Sequence, residues 1–392
     1  MRYDYCPMHY DFDRVIERRN THSIKWDAYP ADVLPLWVAD TDFQAPDEVL
    51  DAIHQRVNHG IFGYQSEMNE LKNALVIWAE SHYQWRILPE EILFVPGVVP
   101  GLNFAAHMLT KPGDGAIIQP PVYPPFFSII KNSELRLQTA PLYVEPSRYH
   151  YEVNLDEFRE VIDASTRILI LCNPHNPVGR VFTKKDLIQM AQICLEKNLV
   201  IFSDEIHCDL TYPGYQHIPI ASLDSEIAQR VVTFMAPSKT FNMAGLKCSM
   251  IIVQNPELRK KLQNGYHRLI EEPNLLALVA GWAAYQFGEN YRQELLNYLQ
   301  GNRDLVVDYI KKRIPEIHIT VPEATFLAWL DCRALNLSPS PYDFFLKHAK
   351  VALNDGQPFG IEGEGFVRLN FGCPRSVLLK ALELMQASLN SR

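Results

Sequence analysis

Met235-Ala236-Pro237-Ser238-Lys239-Thr240-Phe241-Asn242-Met243-Ala244-Gly245-Leu246-Lys247 follows directly on the apolar run Val231-Val232-Thr233-Phe234. That run reads as a buried strand, and Lys239 sits on the turn just past its end. Most lysines are solvated surface charges. A lysine at the carboxyl end of a buried parallel strand instead lies where open α/β sheets bind ligands. There, desolvation and neighbouring cations lower its pKa toward a free, nucleophilic amine. The other strand ends decide between the two readings.

Working outward, the same alternation fills the middle of the chain. Ile92-Leu93-Phe94-Val95 is a short strand, and Pro96-Gly97 turns it into an apolar helix over 98–109. Ala116-Ile117-Ile118-Gln119 is a strand broken by Pro120-Pro121-Val122-Tyr123-Pro124-Pro125. A strand near Leu135 and a helix over 155–162 precede Arg167-Ile168-Leu169-Ile170-Leu171-Cys172, which ends in Asn173-Pro174-His175-Asn176-Pro177. Thr183 caps the next helix, with Asp186 in its first turn. Leu199-Val200-Ile201-Phe202-Ser203 then ends at Asp204.

Continuous apolar strands alternating with helices imply a mostly parallel sheet covered on both faces, an α/β fold. Ser249-Met250-Ile251-Ile252-Val253 follows Lys239 too closely for a helical crossover, so that strand is expected to run antiparallel to its predecessor.

Before this region, Leu34-Pro35-Leu36-Trp37-Val38-Ala39-Asp40-Thr41-Asp42-Phe43 reads as an extended segment laid against something. A helix is expected from Pro46, with Val49, Leu50, Ile53 and Val57 on its buried face. Another is expected from Ser66, with Leu71, Ala74, Leu75 and Trp78 at helical spacing. After Pro273 a largely helical stretch over 275–313, interrupted near Gly288, leads into separate strands at 325–330, 352–354 and 366–371 and a terminal helix from Ser376. The expected division is an amino-terminal segment (1–44), a large domain (45–287) and a smaller α+β domain (288–392).

Composition narrows the function. A formal charge of −9 leaves no basic surface to neutralise nucleic-acid phosphates. No apolar run approaches the ~20 residues needed to cross a bilayer, and Met1 to Pro7 has no signal-peptide core behind it. The seven cysteines are scattered and never spaced Cys-x-x-Cys, which argues against a disulfide framework or a zinc site and for a reducing cytoplasm.

Asn176, Asp204 and Lys239 therefore follow three buried strands on one sheet edge, with Tyr123 past a fourth and Gly97 opening a helix beside a fifth. Each has an ordinary explanation as cap, turn or core residue. Together they supply an aromatic plate, a carboxylate, an amide donor, an amine and a helix amino terminus suited to phosphate. Pyridoxal phosphate needs each of these: a stacking face, an anion at its ring nitrogen, donors to its 3′-oxygen, and a lysine for its aldehyde.

On five motifs in order the chain resembles the fold-type I pyridoxal-phosphate enzymes of the aminotransferase class I/II superfamily. The likeness is strongest to the cystathionine β-lyase or C–S lyase branch, the MalY/PatB type. The motifs are the 34–43 segment, His59-Gly60-Ile61-Phe62-Gly63-Tyr64, Asn173-Pro174-His175-Asn176-Pro177-Val178-Gly179, Ser203-Asp204-Glu205-Ile206-His207-Cys208-Asp209 and Ser238-Lys239-Thr240-Phe241-Asn242.

The resemblance implies that Lys239 holds the cofactor and then acts as base at Cα, that Asp204 pairs with the pyridine nitrogen, and that Tyr123 stacks on the ring. Asn176 is implied to bond the 3′-oxygen, with His207 standing where many aminotransferases carry a tyrosine. Val98 and Val99 amides, Ser238 and Lys247 are implied to hold the phosphate. Lys247 replaces the superfamily's usual arginine, a point charge in place of a fork. Tyr64 would come from the neighbouring subunit, which requires a homodimer. Arg368 would grip the substrate α-carboxylate beside Asn176, with Trp37 and Ala39 lining the substrate side; Lys239, Tyr123 and Arg368 form the implied catalytic set. No role is implied for Asp40 or Asp42 beyond fixing their segment.

The expected activity is a C–S β-lyase acting on a small amino acid. Composition and spacing do not separate it from an aminotransferase, and a cofactor-binding regulatory protein is the alternative of another class.

Overall fold

The computed structural model describes residues 10–145 and 149–392; the expectations resting on Met1 to Pro7, Cys6 included, fall outside that range. Seven strands build the main sheet: β1 (Ile92–Val95), β2 (Gly115–Ile118), β3 (Arg136–Thr139), β4 (Thr166–Cys172), β5 (Val200–Asp204), β6 (Val231–Met235) and β7 (Ser249–Ile252). Their order across the sheet is β1-β7-β6-β5-β4-β2-β3. All neighbours pair in parallel except β7, which is antiparallel to both β6 and β1. The short link after Lys239 requires this.

Alternate residues of β4 enter opposite layers, Leu169 and Leu171 on one side, Ile168, Ile170 and Cys172 on the other, as a pleated strand buried on both faces must place them. Helices α1 (Asp47–Asn58), α2 (Asn69–Tyr83), α3 (Val98–Leu109), α4 (Lys184–Glu196) and α5 (Leu275–Phe287) accompany this sheet. The Thr183 capping box closes the start of α4: Thr183 Oγ1 accepts from Asp186 N–H while the Asp186 carboxylate accepts from Thr183 N–H. After α6 (Glu289–Arg313) a four-stranded antiparallel sheet follows: β8 (His318–Ile319), β9 (Leu327–Asp331), β10 (Asn354–Asp355) and β11 (Phe366–Asn370), closed by helix α7 (Arg375–Asn390). The six described cysteines are free and buried. No helix among the described residues is long and apolar enough to cross a membrane.

Some expectations need correction. Pro46 is the residue before α1, and of the four expected face residues only Val49 is fully buried, while Val57 is 43% exposed. A helix packed along α5 by one side buries a narrower stripe than its apolar spacing suggests. α2 begins at Asn69, because Ser66 makes no capping bond to it. The helix Pro125–Asn132 and the hairpin Leu142–Glu145/His150–Val153 were not foreseen. The single strand expected at 352–354 is two: Val351–Ala352, which pairs in parallel with Leu34–Pro35, and β10. That pairing is how the 34–43 segment is laid down.

Candidate active site

The carboxyl ends of β1, β4, β5 and β6 meet on one edge around a cavity of about 400 Å³. Lys239, Asp204, Asn176, Tyr123 and His207 line it from the large sheet. Ala39 closes it from the amino-terminal segment, and Ser238, Lys247, Val98 and Val99 form another part of the wall. Ser249 and Cys172 also line it. Ser249 was readable in hindsight, since an antiparallel strand starts at the edge where its predecessor ends.

Lys239 donates from Nζ to Ala39 O at 2.7 Å. Burial, then the Arg368 cation, lowers its ammonium to about 8, so about a tenth is free amine at neutral pH, far more than in an ordinary lysine. The Asp204 carboxylate is buried and accepts the Ile206 N–H (3.1 Å); burial pushes it up to about 7. A carboxylate so poorly compensated is suited to a cationic partner from outside the chain. Burial holds the Tyr123 phenol above its ordinary range, with the Asp204 charge adding to the effect. His207 is kept neutral, first by burial and then by Lys239 and Arg368, and its Nδ1 has no partner.

Gly97 precedes α3 at φ +120°, a conformation that L side chains rarely adopt. The Gly97 N–H is spent on Val95 O, Pro100 has no N–H, and Gly101 already bonds Gly97 O. Val98 and Val99 are thus the free donors of the helix start, and both line the cavity. Lys247, at φ +58°, is exposed and lines the same cavity from the end of the Lys239 loop.

Arg368, on β11, lies behind Asn176 and is 3% exposed. Its guanidinium donates to Asn176 Oδ1 (2.9 Å) and Trp37 O (2.9 Å), rests 5.1 Å from the Phe359 ring centroid, and leaves Nε unpartnered. It makes no ion pair with a carboxylate among the described residues; burial lowers it to about 10. Trp37 contributes its carbonyl to Arg368, while its indole turns away to Lys25 O. Of the expected site residues, Arg368, Trp37 and Tyr64 do not line the cavity, and Tyr64 is set apart from the other two. It is fully exposed and lies apart from the cavity, among residues that include Ile61 and Gln65.

Sequence reasoning missed the supports. Asn242 donates to Thr41 O (3.0 Å) and Phe43 O (2.6 Å), tying the Lys239 loop to the amino-terminal segment. Buried Asp209 accepts from Trp78 Nε1 (2.9 Å), the Tyr83 hydroxyl and Thr240 Oγ1 (3.0 Å), fixing the residue beside Lys239. Asp40 and Asp42 bind Arg18 and Lys25, which accords with a role in fixing their own segment.

The unpartnered Nε and Nδ1, two free helix N–H groups, an under-bonded carboxylate and a desolvated amine fit pyridoxal phosphate: anion donors on one side, a proton-bearing ring's counter-charge on another, and an amine between them. Comparisons with known proteins agree. The family model Aminotransferase class I and II matches residues 31–384. Cystathionine beta-lyase PatB of Bacillus subtilis (strain 168) is 38% identical over 387 residues, spanning 97% of this chain and 100% of that protein. Cystalysin from Treponema denticola, whose crystal structure contains pyridoxal 5′-phosphate, superposes with a TM-score of 0.94 at 34% identity, covering 98% of this chain and 100% of its own. The pyridoxal-phosphate-bound C–S lyase from Staphylococcus hominis gives 0.92 at 34%, covering 97% and 99%. With matches of this length and a site that carries the cofactor's requirements, the chain belongs to the pyridoxal-phosphate-dependent aminotransferase class I and II family.

Proposed function

We infer that the chain is a carbon–sulfur β-lyase that removes a thiol from an S-substituted cysteine such as cystathionine. With one water consumed, the products are the thiol, pyruvate and ammonia. The observation that carries the amino-acid substrate is Arg368: a buried guanidinium with no carboxylate partner among the described residues, next to a desolvated amine. The choice of β-elimination rests on the lyases among its relatives.

Pyridoxal phosphate, when bound, supplies an aldehyde that captures amines and a ring that accepts the electron pair left at Cα. The chain's own residues do the rest. Arg368 and Asn176 hold the substrate carboxylate, so that Cα–H lies against Lys239. Lys239, whose lowered pKa makes the free amine accessible, takes that proton and the thiolate departs from Cβ. Asp204 supplies the counter-charge for a protonated ring nitrogen. Asn176 Oδ1 is spent on Arg368, which leaves the Asn176 amide N–H for the 3′-oxygen beside neutral His207. Val98 and Val99 N–H, Ser238 and Lys247 take the phosphate.

Tyr64 reaches the phosphate from a second copy in this reading. The exposed apolar group Ile61 and Phe62 around it supports such an interface. The two separate sheets support a large and a small domain dividing near 287/288, and the pairing of Leu34–Pro35 with Val351–Ala352 supports an amino-terminal segment (1–44) packed with the small one. Purified enzyme given cystathionine without a keto acid is expected to release pyruvate in proportion to substrate consumed. Turnover only with added 2-oxoglutarate or pyruvate would make it an aminotransferase.

A further inference from the structure

Lys25 is the anomaly of the amino-terminal segment. It is fully buried, while Ile24 beside it is 69% exposed, the reverse of what their side chains prefer. Its ammonium donates to Asp42 Oδ2 (2.8 Å) and to the Asp40 main-chain carbonyl (3.3 Å), and Arg18 donates to the Asp40 and Asp42 carboxylates. Trp26 Nε1 adds a third donor to Asp42 (2.8 Å). Buried ion clusters gain little over apolar packing of the same volume, and their best-attested use is to fix one arrangement among several.

The arrangement fixed here leads to the site. The Lys25 carbonyl accepts the Trp37 indole N–H (3.1 Å), and the Trp37 carbonyl accepts Arg368 Nη2 (2.9 Å). Two residues on, the Ala39 carbonyl accepts Lys239 Nζ (2.7 Å). Asn370, two residues past Arg368 on β11, bonds the Val38 and Asp40 carbonyls of the same stretch.

We infer that Lys25 is a positioning residue for substrate-carboxylate recognition: held by Asp42 through its ammonium and by Trp37 through its carbonyl, it sets the backbone that aims Arg368. Segment 37–42 thereby acts as a strap with a fixed register, and Arg368 Nε stays turned toward the anion it lacks. This rests on the reading that Arg368 binds the α-carboxylate.

The test compares two ligands of the holoenzyme by calorimetry: L-alanine, and ethylamine, which is alanine without its carboxylate. The ratio of their dissociation constants reports carboxylate recognition alone. In Lys25→Met the preference for alanine is expected to fall about tenfold, the effect of misaligning a hydrogen bond to a charged group, with ethylamine affinity and the cofactor's absorbance little changed. Trp37→Phe, which leaves the ion cluster intact and removes the N–H to Lys25 O together with part of the ring, is expected to lower the same ratio. It decides the matter alone if Lys25→Met fails to fold. Loss of affinity for both ligands by one factor, or no change in either, overturns the inference. Arg368→Gln separates the two levels: if it leaves the ratio intact, the carboxylate reading itself fails, whereas a collapsed ratio there beside an unchanged one in the positioning variants sinks only the role of Lys25.

Discussion

Replacing Arg368 by glutamine is expected to cripple catalysis and to leave the cofactor-free protein at least as stable as before. The reasoning starts from the depressed pKa. Burial takes the guanidinium from 12.5 to about 10, so the folded state holds the charged form at a cost of ~3 kcal/mol, at ~1.4 kcal/mol per unit. A base with a lowered folded-state pKa carries that cost in full below pH 10 and sheds it only as pH rises through that value. Against it stand two hydrogen bonds from the charged fork, to Asn176 Oδ1 and Trp37 O, each contributing ~1.5 kcal/mol. Glutamine replaces one of them in part. The balance is a gain of ~1 kcal/mol for the variant in urea denaturation at neutral pH. Its kcat/KM should meanwhile fall by ~10²–10³-fold, since a fork of charge-assisted bonds to the substrate is gone. A stability loss of more than about 2 kcal/mol would refute the argument. It would mean that the guanidinium is satisfied as it stands and is not waiting for an anion.

Three further outcomes are expected. The rate at which cofactor-free protein captures pyridoxal phosphate should rise with pH and level off above about 8, where burial has set the Lys239 amine; a rate that keeps climbing toward 10.5 would show an ordinary solvated lysine. Gly97→Ala places a Cβ 3.2 Å from Pro100 Cδ at φ +120°, so cofactor affinity should drop by ~10-fold for ~1–2 kcal/mol of backbone strain, and unchanged affinity by equilibrium dialysis would remove the Val98–Val99 turn from the phosphate site. Tyr64→Ala and Lys239→Ala, each impaired alone, should regain activity when mixed, because a hybrid dimer holds one intact site; no regain after subunit exchange would place Tyr64 outside the site.

The sheet and its catalytic edge were legible because both follow from local rules. Apolar runs such as Arg167 to Cys172 announce strands buried on both faces, and the polar residues just after them must crowd one edge once the crossovers share a hand. The direction of β7 followed from a link too short to cross over. Lys25, Arg18 and Trp26 were not legible: they lie in a stretch without period, and a buried lysine looks like any other in a sequence. The Asp209 network was hidden similarly, since Trp78 reads as an apolar face residue of α2 until its N–H and the Tyr83 O–H converge on one carboxylate. The hairpin at 142–153 was missed because its charged, half-exposed strands carry no apolar run. Tyr64 is a separate case, since no single chain places it near the cavity.

The reversal of β7 has a consequence for how this chain tolerates change. A parallel seventh strand would begin at the far side of the sheet. Because β7 doubles back, the segment between Met235 and Ser249 departs from and returns to one rim, and both lysines it carries line one cavity. Its two feet are pinned by neighbouring rungs, so a residue gained or lost within it displaces Lys239 and Lys247 together. Insertions and deletions should therefore accumulate elsewhere in descendants of this gene, and variation in this segment should proceed by exchange of side chains at constant length.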